Sequence, residues 1–552
     1  MSEFLIARRQ YAPQSPVSLT ALEASSVTEP AVGLDATDPA IAALFPQMAR
    51  HPLLNISQND PAPSGLETLA QKTSLRVGAV FSGGQAPGGH NVVAGLYEGI
   101  RKLHPDSTLT GFAGGPAGIL KNKAIPVTPE LIATFRNTGG FDLFGTGRTK
   151  LETPEDFATC ARIFTQHDLD AFVVIGGDDS NTNAAFLAEY LLETGHKTRI
   201  VGVPKTIDSD LRGPFTETSF GFDTAVRVYA ELIANIAKDS LSGKKYYHFI
   251  RLMGRSASHI TMEAALQTRP NVALISEEIA RDGMTMSEII ELLADVVVRR
   301  GNAGKNFGVV LVPEGLIEFV PEMRTLIANL NEVISGHKDY MDSLRGFTAQ
   351  IEYLAGRLSK ESAATLATLP LDIQRQMIMD RDPHGNVALS QVETEKLLTE
   401  LLTSRLGELK SEGHFHGKFS CQTHFLGYEG RCAAPTNFDA NYAWSLGLTA
   451  AGLAASGHSG YLAAVHGLTM TPDRWQAWGV PLVSMLTIER RHGKDKAVIR
   501  KTLVDLEGPA FQLFMNSREA WAWDEHYQFA GPIQYFGPAG LVDRIPVSLS
   551  VQ

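Results

Sequence analysis

Short apolar runs that end in a glycine- or acid-bearing turn, then give way to helical spacing, recur along this chain and leave it little choice of fold. Val77–Phe81 runs into the turn Ser82–Asn91 and an amphipathic stretch from Val92 to Leu103. Phe172–Ile175 breaks at Gly176, Gly177, Asp178, Asp179, Ser180 and Asn181, and helical spacing follows from Ala184 to Leu192. Arg199–Val203 ends in the turn Pro204–Asp210. Lys244–Leu252 leaves through Met253, Gly254, Arg255 and Ser256, while Asn271–Ile275 ends in Ser276, Glu277 and Glu278. Phe307–Val312 exits through Pro313, Glu314 and Gly315. Strand, turn and helix in alternation specify an α/β fold of parallel sheets flanked by helices. In such sheets, ligands bind outside the carboxyl ends of the strands.

Two neighbouring exits stand out. Asp178 and Asp179 follow one strand, and Asp208 and Asp210 the next, so four carboxylates crowd one edge. Such crowding must be relieved by a metal, a proton or a cation, which makes Asp170–Asp210 the candidate reaction centre. The glycine-rich turn after Phe81 lets backbone N–H groups approach an anion, and a helix N-terminus follows it. It matches neither the dinucleotide fingerprint nor the Walker loop, and a tight turn without a ligand is its other reading. Gly145–Lys150 adds two cations, Arg148 and Lys150, beside flexible backbone.

Composition excludes several classes. Lys plus Arg total 49 against 60 Asp plus Glu, a net −11, whereas non-specific nucleic-acid binding needs a basic surface. An anionic ligand must therefore be drawn by local cations. Cys160, Cys421 and Cys432 are far apart and form no CxxC pair, which suits a reducing compartment. No apolar run is long enough to span a membrane, and the first residues lack the apolar core of a secretory signal. A cytoplasmic protein is expected.

The chain organises as an N-terminal extension over 1–70, a first lobe over 71–240 with a return segment at about 435–470, and a second lobe over 241–434. A mostly helical insertion at about 321–415 carries the stripes Met323, Leu326, Ile327, Leu330, Val333, Ile334 and Leu389, Val392, Leu398, Leu401, Leu402, Leu409, read as core packing. Residues 471–552 form a C-terminal segment holding Trp475, Trp478, Trp521 and Trp523, in which no chemistry is legible.

At its turns the chain resembles the phosphofructokinase family, in particular its long pyrophosphate-dependent branch. The resemblance rests on Gly83 and Gly84, Gly176–Ser180, Pro204–Asp210, Met253–Arg255, Pro313–Gly315 and Gly427–Arg431, in the family's order across about residues 75–470. It implies two Rossmann-like lobes, the first for the phosphate donor and Mg²⁺, the second for the sugar phosphate. It also implies glycolytic, Mg²⁺-assisted phosphoryl transfer from pyrophosphate to the 1-hydroxyl of fructose 6-phosphate. Asp208 matches the general base, a role worth roughly 10²–10⁴ in rate. Asp178 matches the metal-binding acid. Read as extended backbone, neighbouring Asp178 and Asp179 would point opposite ways, so only one should face the ion.

Arg255 matches the cation held against the transferring phosphoryl group. Met253, Gly254, Thr206 and Ile207 resemble sugar contacts; Glu314, Tyr428, Glu429, Gly430 and Arg431 resemble groups gripping the sugar hydroxyls and 6-phosphate. Gly83, Gly84, Arg148 and Lys205 resemble diphosphate contacts. Lys244 and Lys245 lie where members reach a neighbour's 6-phosphate site, which implies a homodimer or larger homo-oligomer with a shared site; Tyr246 beside them resembles a substrate contact. ATP-using relatives have glycine at the positions of Asp179 and Lys205, so both residues point to pyrophosphate. Lys205 is expected to stand opposite Asp179. Alternatives are an ATP-dependent 6-phosphofructokinase, a catalytically silent regulatory subunit, and a dinucleotide-linked dehydrogenase. The last lacks any GxGxxG after a strand.

Overall fold

The apolar runs form strands in the computed structural model of the chain, which describes residues 8–30, 34, 37–58, 67–381, 386–491, 494–529 and 545–551. The loop-forming stretch 59–65 and most of 382–386 lie outside the described residues. Along the chain the strands are β1 (Ser26–Thr28), β2 (Leu54–Ser57), β3 (Arg76–Ser82), β4 (Thr108–Phe112), β5 (Ala124–Val127), β6 (Ala171–Gly176) and β7 (Arg199–Pro204). They continue as β8 (Tyr247–Leu252), β9 (Val272–Ala273), β10 (Gly308–Pro313), β11 (Cys421–Leu426), β12 (Tyr461–His466), β13 (Gln476–Pro481), β14 (Leu486–Arg491) and β15 (Lys494–Ile499). Two compact units result. The first comprises Met1–Val228, Tyr428–Thr502 and Ile533–Ser550; the second comprises Tyr229–Gly427, Leu503–Pro532 and Val551–Gln552.

The first unit holds a nine-stranded sheet in the order β1-β2-β13-β12-β7-β6-β3-β4-β5. Its centre, β12-β7-β6-β3-β4, is parallel, and the pairs at both margins are antiparallel. β6 is buried along its whole length, as a strand covered on both faces must be. Two strands come from within residues 1–70, because β2 pairs with β13 and carries β1 with it. Helix Asn437–Ala455 packs on helix Gly89–Leu103 at glycine contacts. A side-chain carbon built on Gly95 would lie 2.2 Å from the Trp444 carbonyl oxygen, and one on Gly447 2.2 Å from that of Val92. The glycine and alanine content of 440–456 is what permits this close helix packing.

The second unit holds a parallel four-stranded sheet, β11-β8-β10-β9. Helices from Pro321–Gly336 to Thr394–Ser411 interrupt the alternation. Met323, Leu326, Ile327, Leu330, Leu389, Val392, Leu398 and Leu402 are buried in one apolar cluster with Tyr247, Phe249, Val310 and Val312 of the sheet. Val333, Ile334, Leu401 and Leu409 pack on it half-buried, so the stripes are core. An ion pair ties insertion to sheet: Arg251 Nε on β8 lies 2.7 Å from Glu395 Oε2, both 5% exposed. Gly417–Phe419 is irregular, and β9 keeps only two residues of the run Asn271–Ile275.

Candidate active site

In the first unit the acids and a lysine meet where β6 and β7 end. β6 runs through Gly176 and Gly177 directly into helix Asp178–Glu193. Asp178 and Asp179 are thus the first helical residues, not extended backbone. Asn181 ties the first helical turn back to the strand end: its side-chain amide donates to the carbonyls of Gly176 (2.6 Å) and Gly177 (3.0 Å). Consecutive helical residues diverge by about 100°, so the two carboxylates still separate, for a different reason than extended geometry would give. Asp179 is exposed and lies 4.0 Å from Lys150 Nζ. The Asp178 carboxylate lies 3.4 Å from Lys501 Nζ. Burial acts to raise the Asp178 pKa, but Lys501, the Asp179 backbone N–H and Lys205 outweigh it and hold the group below its ordinary value. A carboxylate also suits the positive end of a helix.

Lys205 follows β7 and is 6% exposed, its N–H donating to the Gly176 carbonyl (2.9 Å). Burial pulls its pKa down to about 8; Asp178, Asp208 and Asp210 oppose the fall, and Arg431 adds to it. Its charge therefore answers Asp178, Asp208 and Asp210, and Lys150 is the cation beside Asp179. Asp208 is half-buried, its N–H donating to Thr206 Oγ1 (3.1 Å); Ile207 is buried. Asp210 is buried, and desolvation followed by repulsion from Asp208 and Asp178 pushes its carboxyl up to about 7, with Lys501 pulling the other way.

The glycine turn faces cations. A carbon built on Gly83 (φ +88°) would lie 3.4 Å from Lys205 Nζ, and one on Gly84 3.7 Å from Arg431 Nη1 and 3.9 Å from Arg148 Nη2. Gly83 is anchored by its N–H to Gly147 O (2.9 Å) and by Thr146 Oγ1 donating to its carbonyl (2.7 Å). Tyr428 and Glu429 are exposed and Gly430 is buried in the short helix Tyr428–Arg431, and the Arg431 guanidinium lies over the Tyr428 ring at 4.8 Å. A glycine turn, Lys205, Arg148 and Arg431 thus gather beside the acids within one unit.

In the second unit β8 and β10 end side by side. Glu314, 4% exposed, accepts the Gly254 N–H at Oε2 (3.0 Å), and its own N–H donates to Leu252 O (3.0 Å). A carbon on Gly315 would sit 1.8 Å from the Arg255 carbonyl oxygen, so only glycine allows this approach. Met253 is half-buried and Arg255 is exposed. Lys244, Lys245 and Tyr246 precede β8 whereas Met253–Arg255 follow it, a six-residue strand away, roughly 20 Å.

Sequence reasoning missed Lys501. It sits in the tail where no chemistry was legible, yet it obeys the rule used elsewhere: Ala497–Ile499 is an apolar strand end, and Arg500 and Lys501 are its exit. Asn181 was likewise passed over as a turn former.

Fold and site define an α/β protein that presents cations, a glycine turn and clustered carboxylates to an anionic ligand at its strand exits. Comparison with known proteins narrows this. The phosphofructokinase family model matches residues 76–454, and the chain belongs to that family. It is 49% identical over 517 residues to pyrophosphate–fructose 6-phosphate 1-phosphotransferase of Treponema pallidum, covering 93% of this chain and 90% of that one. It is 45% identical over 538 residues to the enzyme of that name from Entamoeba histolytica, covering 97% and 96%. The crystal structure of a pyrophosphate-dependent phosphofructokinase from Nitrosospira multiformis shares the fold, with TM-score 0.54 and 16% identity over 87% of this chain and 97% of that one.

Proposed function

We propose that this chain catalyses reversible transfer of a phosphoryl group from pyrophosphate to the 1-hydroxyl of fructose 6-phosphate, giving fructose 1,6-bisphosphate and phosphate in glycolysis. The observation that carries it is the buried Lys205 ammonium beside the Gly83 turn, with Arg148 and Arg431 beside Gly84. A bare diphosphate offers no base or ribose to hold, so its affinity must come from such cations and from backbone N–H groups. Identity of 49% and 45% across nearly the whole length of enzymes of this name supports the same donor and acceptor.

Among the described residues no group of three or more His, Cys, Asp or Glu could hold a metal alone. That suits Mg²⁺, which takes one or two carboxylates and fills its other positions with water and phosphate oxygens. Asp178 would hold it. Bound there, Mg²⁺ would neutralise charge on the donor's oxygens. Asp208 takes the proton of the sugar hydroxyl as it attacks phosphorus. Lys205 and Arg148 hold the diphosphate beside Gly83 and Gly84, and Arg431, from the short helix Tyr428–Arg431, grips the sugar 6-phosphate. Arg255 offsets charge on the transferring group. Glu314, fixed by the Gly254 N–H, accepts from sugar hydroxyls, with Met253, Gly254, Thr206, Ile207, Tyr428, Glu429 and Gly430 completing the sugar contacts. Asp179 bars a nucleotide by bulk and like charge. Lys244, Lys245 and Tyr246, at the far end of β8 from Arg255, serve a neighbouring copy in a homodimer or larger homo-oligomer.

No helix among the described residues is long and apolar enough to cross a membrane. We place the enzyme in the cytoplasm, in keeping with three unpaired cysteines. The test is purified protein with fructose 6-phosphate and Mg²⁺, given pyrophosphate or ATP separately. Product with pyrophosphate alone is expected. Product with ATP alone overturns the donor assignment, and product with neither leaves a silent subunit.

A further inference from the structure

The tail beyond β15 is stapled to both acid turns. Ile499 N–H donates to Thr182 Oγ1 in the first turns of helix Asp178–Glu193 (3.0 Å), which holds the end of β15 against that helix. Thr502 N–H donates to the carbonyl of Asp210 (2.7 Å), and Thr502 Oγ1 to that of Arg212 (3.2 Å). Arg500 N–H donates to Met485 O (2.9 Å), which seals the base of the β14–β15 hairpin. Lys501 lies between these anchors, so its backbone is fixed on either side. Its ammonium stands 3.4 Å from Asp178 Oδ2.

Stability does not account for that placement. Both side chains keep about a quarter of their surface exposed (28% and 27%), and ion pairs so open to water contribute little to folding. The Asp178 carboxylate also has Lys205 nearby. What the arrangement supplies is a positive charge at the mouth of the carboxylate cluster, in a protein whose net charge is −11 and repels anions.

We propose that Lys501 is a donor-site residue that binds pyrophosphate directly. This rests on the donor reading above and extends it to a segment outside the family-matched residues 76–454. A lysine suits the role: its ammonium is a compact charge on a flexible stem, able to leave the Asp178 carboxylate for a phosphate oxygen when Mg²⁺ takes that carboxylate. Asp178 would hold Mg²⁺ when the donor is bound, and the Lys501 ammonium, freed from that carboxylate, would stay engaged on the diphosphate. No bond is made or broken by Lys501; it raises the local concentration and orientation of the anion.

The test is titration calorimetry on the full chain carrying Lys501→Ala, Lys501→Arg or Lys496→Ala. Each is titrated with sodium pyrophosphate, without metal and with Mg²⁺, and separately with fructose 6-phosphate. Lys496, exposed on the same hairpin and 3.7 Å from Glu152, serves as the control for a generic loss of positive charge. Lys501→Ala should weaken pyrophosphate about tenfold or more, the weight of one charge-assisted contact, and leave fructose 6-phosphate affinity unchanged. Lys501→Arg should recover part of the loss, and Lys496→Ala should resemble the unmodified chain. Equal pyrophosphate affinity in Lys501→Ala overturns the inference. So does a parallel loss of sugar-phosphate affinity, which would mark a structural role, or an equal loss in Lys496→Ala. If the unmodified chain binds no pyrophosphate at all, the donor reading falls and this inference with it.

Discussion

The strand exits of the two units solve different problems. At the ends of β6 and β7, Asp178, Asp208 and Asp210 stand with Lys205 and Lys501, and the surrounding charges shift the titration of Asp178, Lys205 and Asp210. At the ends of β8 and β10, one buried carboxylate, Glu314, is held by backbone N–H donation, and a glycine permits near-contact with the Arg255 carbonyl. The first exit compensates charge; the second fixes shape. Phosphoryl transfer needs both, because developing charge must be offset and a sugar hydroxyl must be aimed. Substitutions among the acids and lysines of the first exit should therefore act on turnover and donor use, and substitutions at Glu314 on sugar affinity or folding.

The sharpest break is Asp208→Ala. It should cut turnover on the order of 10³-fold while fructose 6-phosphate still binds, since only a transition-state role is removed. Steady-state kinetics with direct sugar-binding measurements checks this, and undiminished turnover would remove Asp208 as the base. In the second unit the largest effect should be on folding. Glu395→Ala leaves Arg251 buried without its carboxylate partner, and loss of one member of such a pair costs about 3–5 kcal/mol. Denaturant unfolding should show that loss, and a change under about 1 kcal/mol would mean the pair relaxes into water.

Acid should find the first unit through His90. The ring is 1% exposed, with Nδ1 2.8 Å from Thr138 Oγ1. Burial drives its pKa from 6.5 to about 4, against the pull of Asp142 and the hydrogen bond at Thr138. Because the folded value lies below the unfolded one, the unfolded chain takes the proton first as pH falls. Stability present above pH 6.5 is then lost progressively toward pH 4, by about 3 kcal/mol. His248 and His424 of the second unit, lowered chiefly by burial, act in the same direction. Thermal midpoints across that window should fall less in His90→Gln than in the unmodified chain; equal slopes would assign the acid sensitivity elsewhere.

The sequence made the central parallel strands and every acid at their exits legible, because buried runs such as Phe172–Ile175 and turns such as Gly176–Gly177 are local signals. It hid what depends on distant partners. β1 and β2 are short and mixed in polarity, β13 opens on Gln476 and holds Gly479 and Pro481, and they pair with one another and with β12. Asp178–Asn181 reads as a turn because Asp, Ser and Asn favour turns; in the fold it is the first turn of the helix, tied back by Asn181 to the Gly176 and Gly177 carbonyls. Lys501 lies more than 300 residues from Asp178, and no spacing joins them. Lys205 was expected opposite Asp179; its burial instead turns its charge toward Asp178, Asp208 and Asp210.

That last difference in setting bears on the separate roles of nucleotide exclusion at Asp179 and pyrophosphate binding at Lys205, and it yields the smallest predicted effect. If Asp179 and Lys205 acted as one gate, removing either would change donor choice alike. Asp179 is instead exposed at the helix start beside Lys150, whereas Lys205 is buried among the other acids. Asp179→Gly removes bulk and a negative charge where a nucleotide would pass, so it should admit ATP weakly. The gain should be about tenfold in kcat/KM, the scale of one like-charge contact in partly wet surroundings. Pyrophosphate use should change little. Lys205→Gly should chiefly weaken pyrophosphate use and admit no ATP, since the carboxylate that excludes the nucleotide remains. Paired kcat/KM values for the two donors in both variants test the separation, and matching shifts in both would restore a single gate.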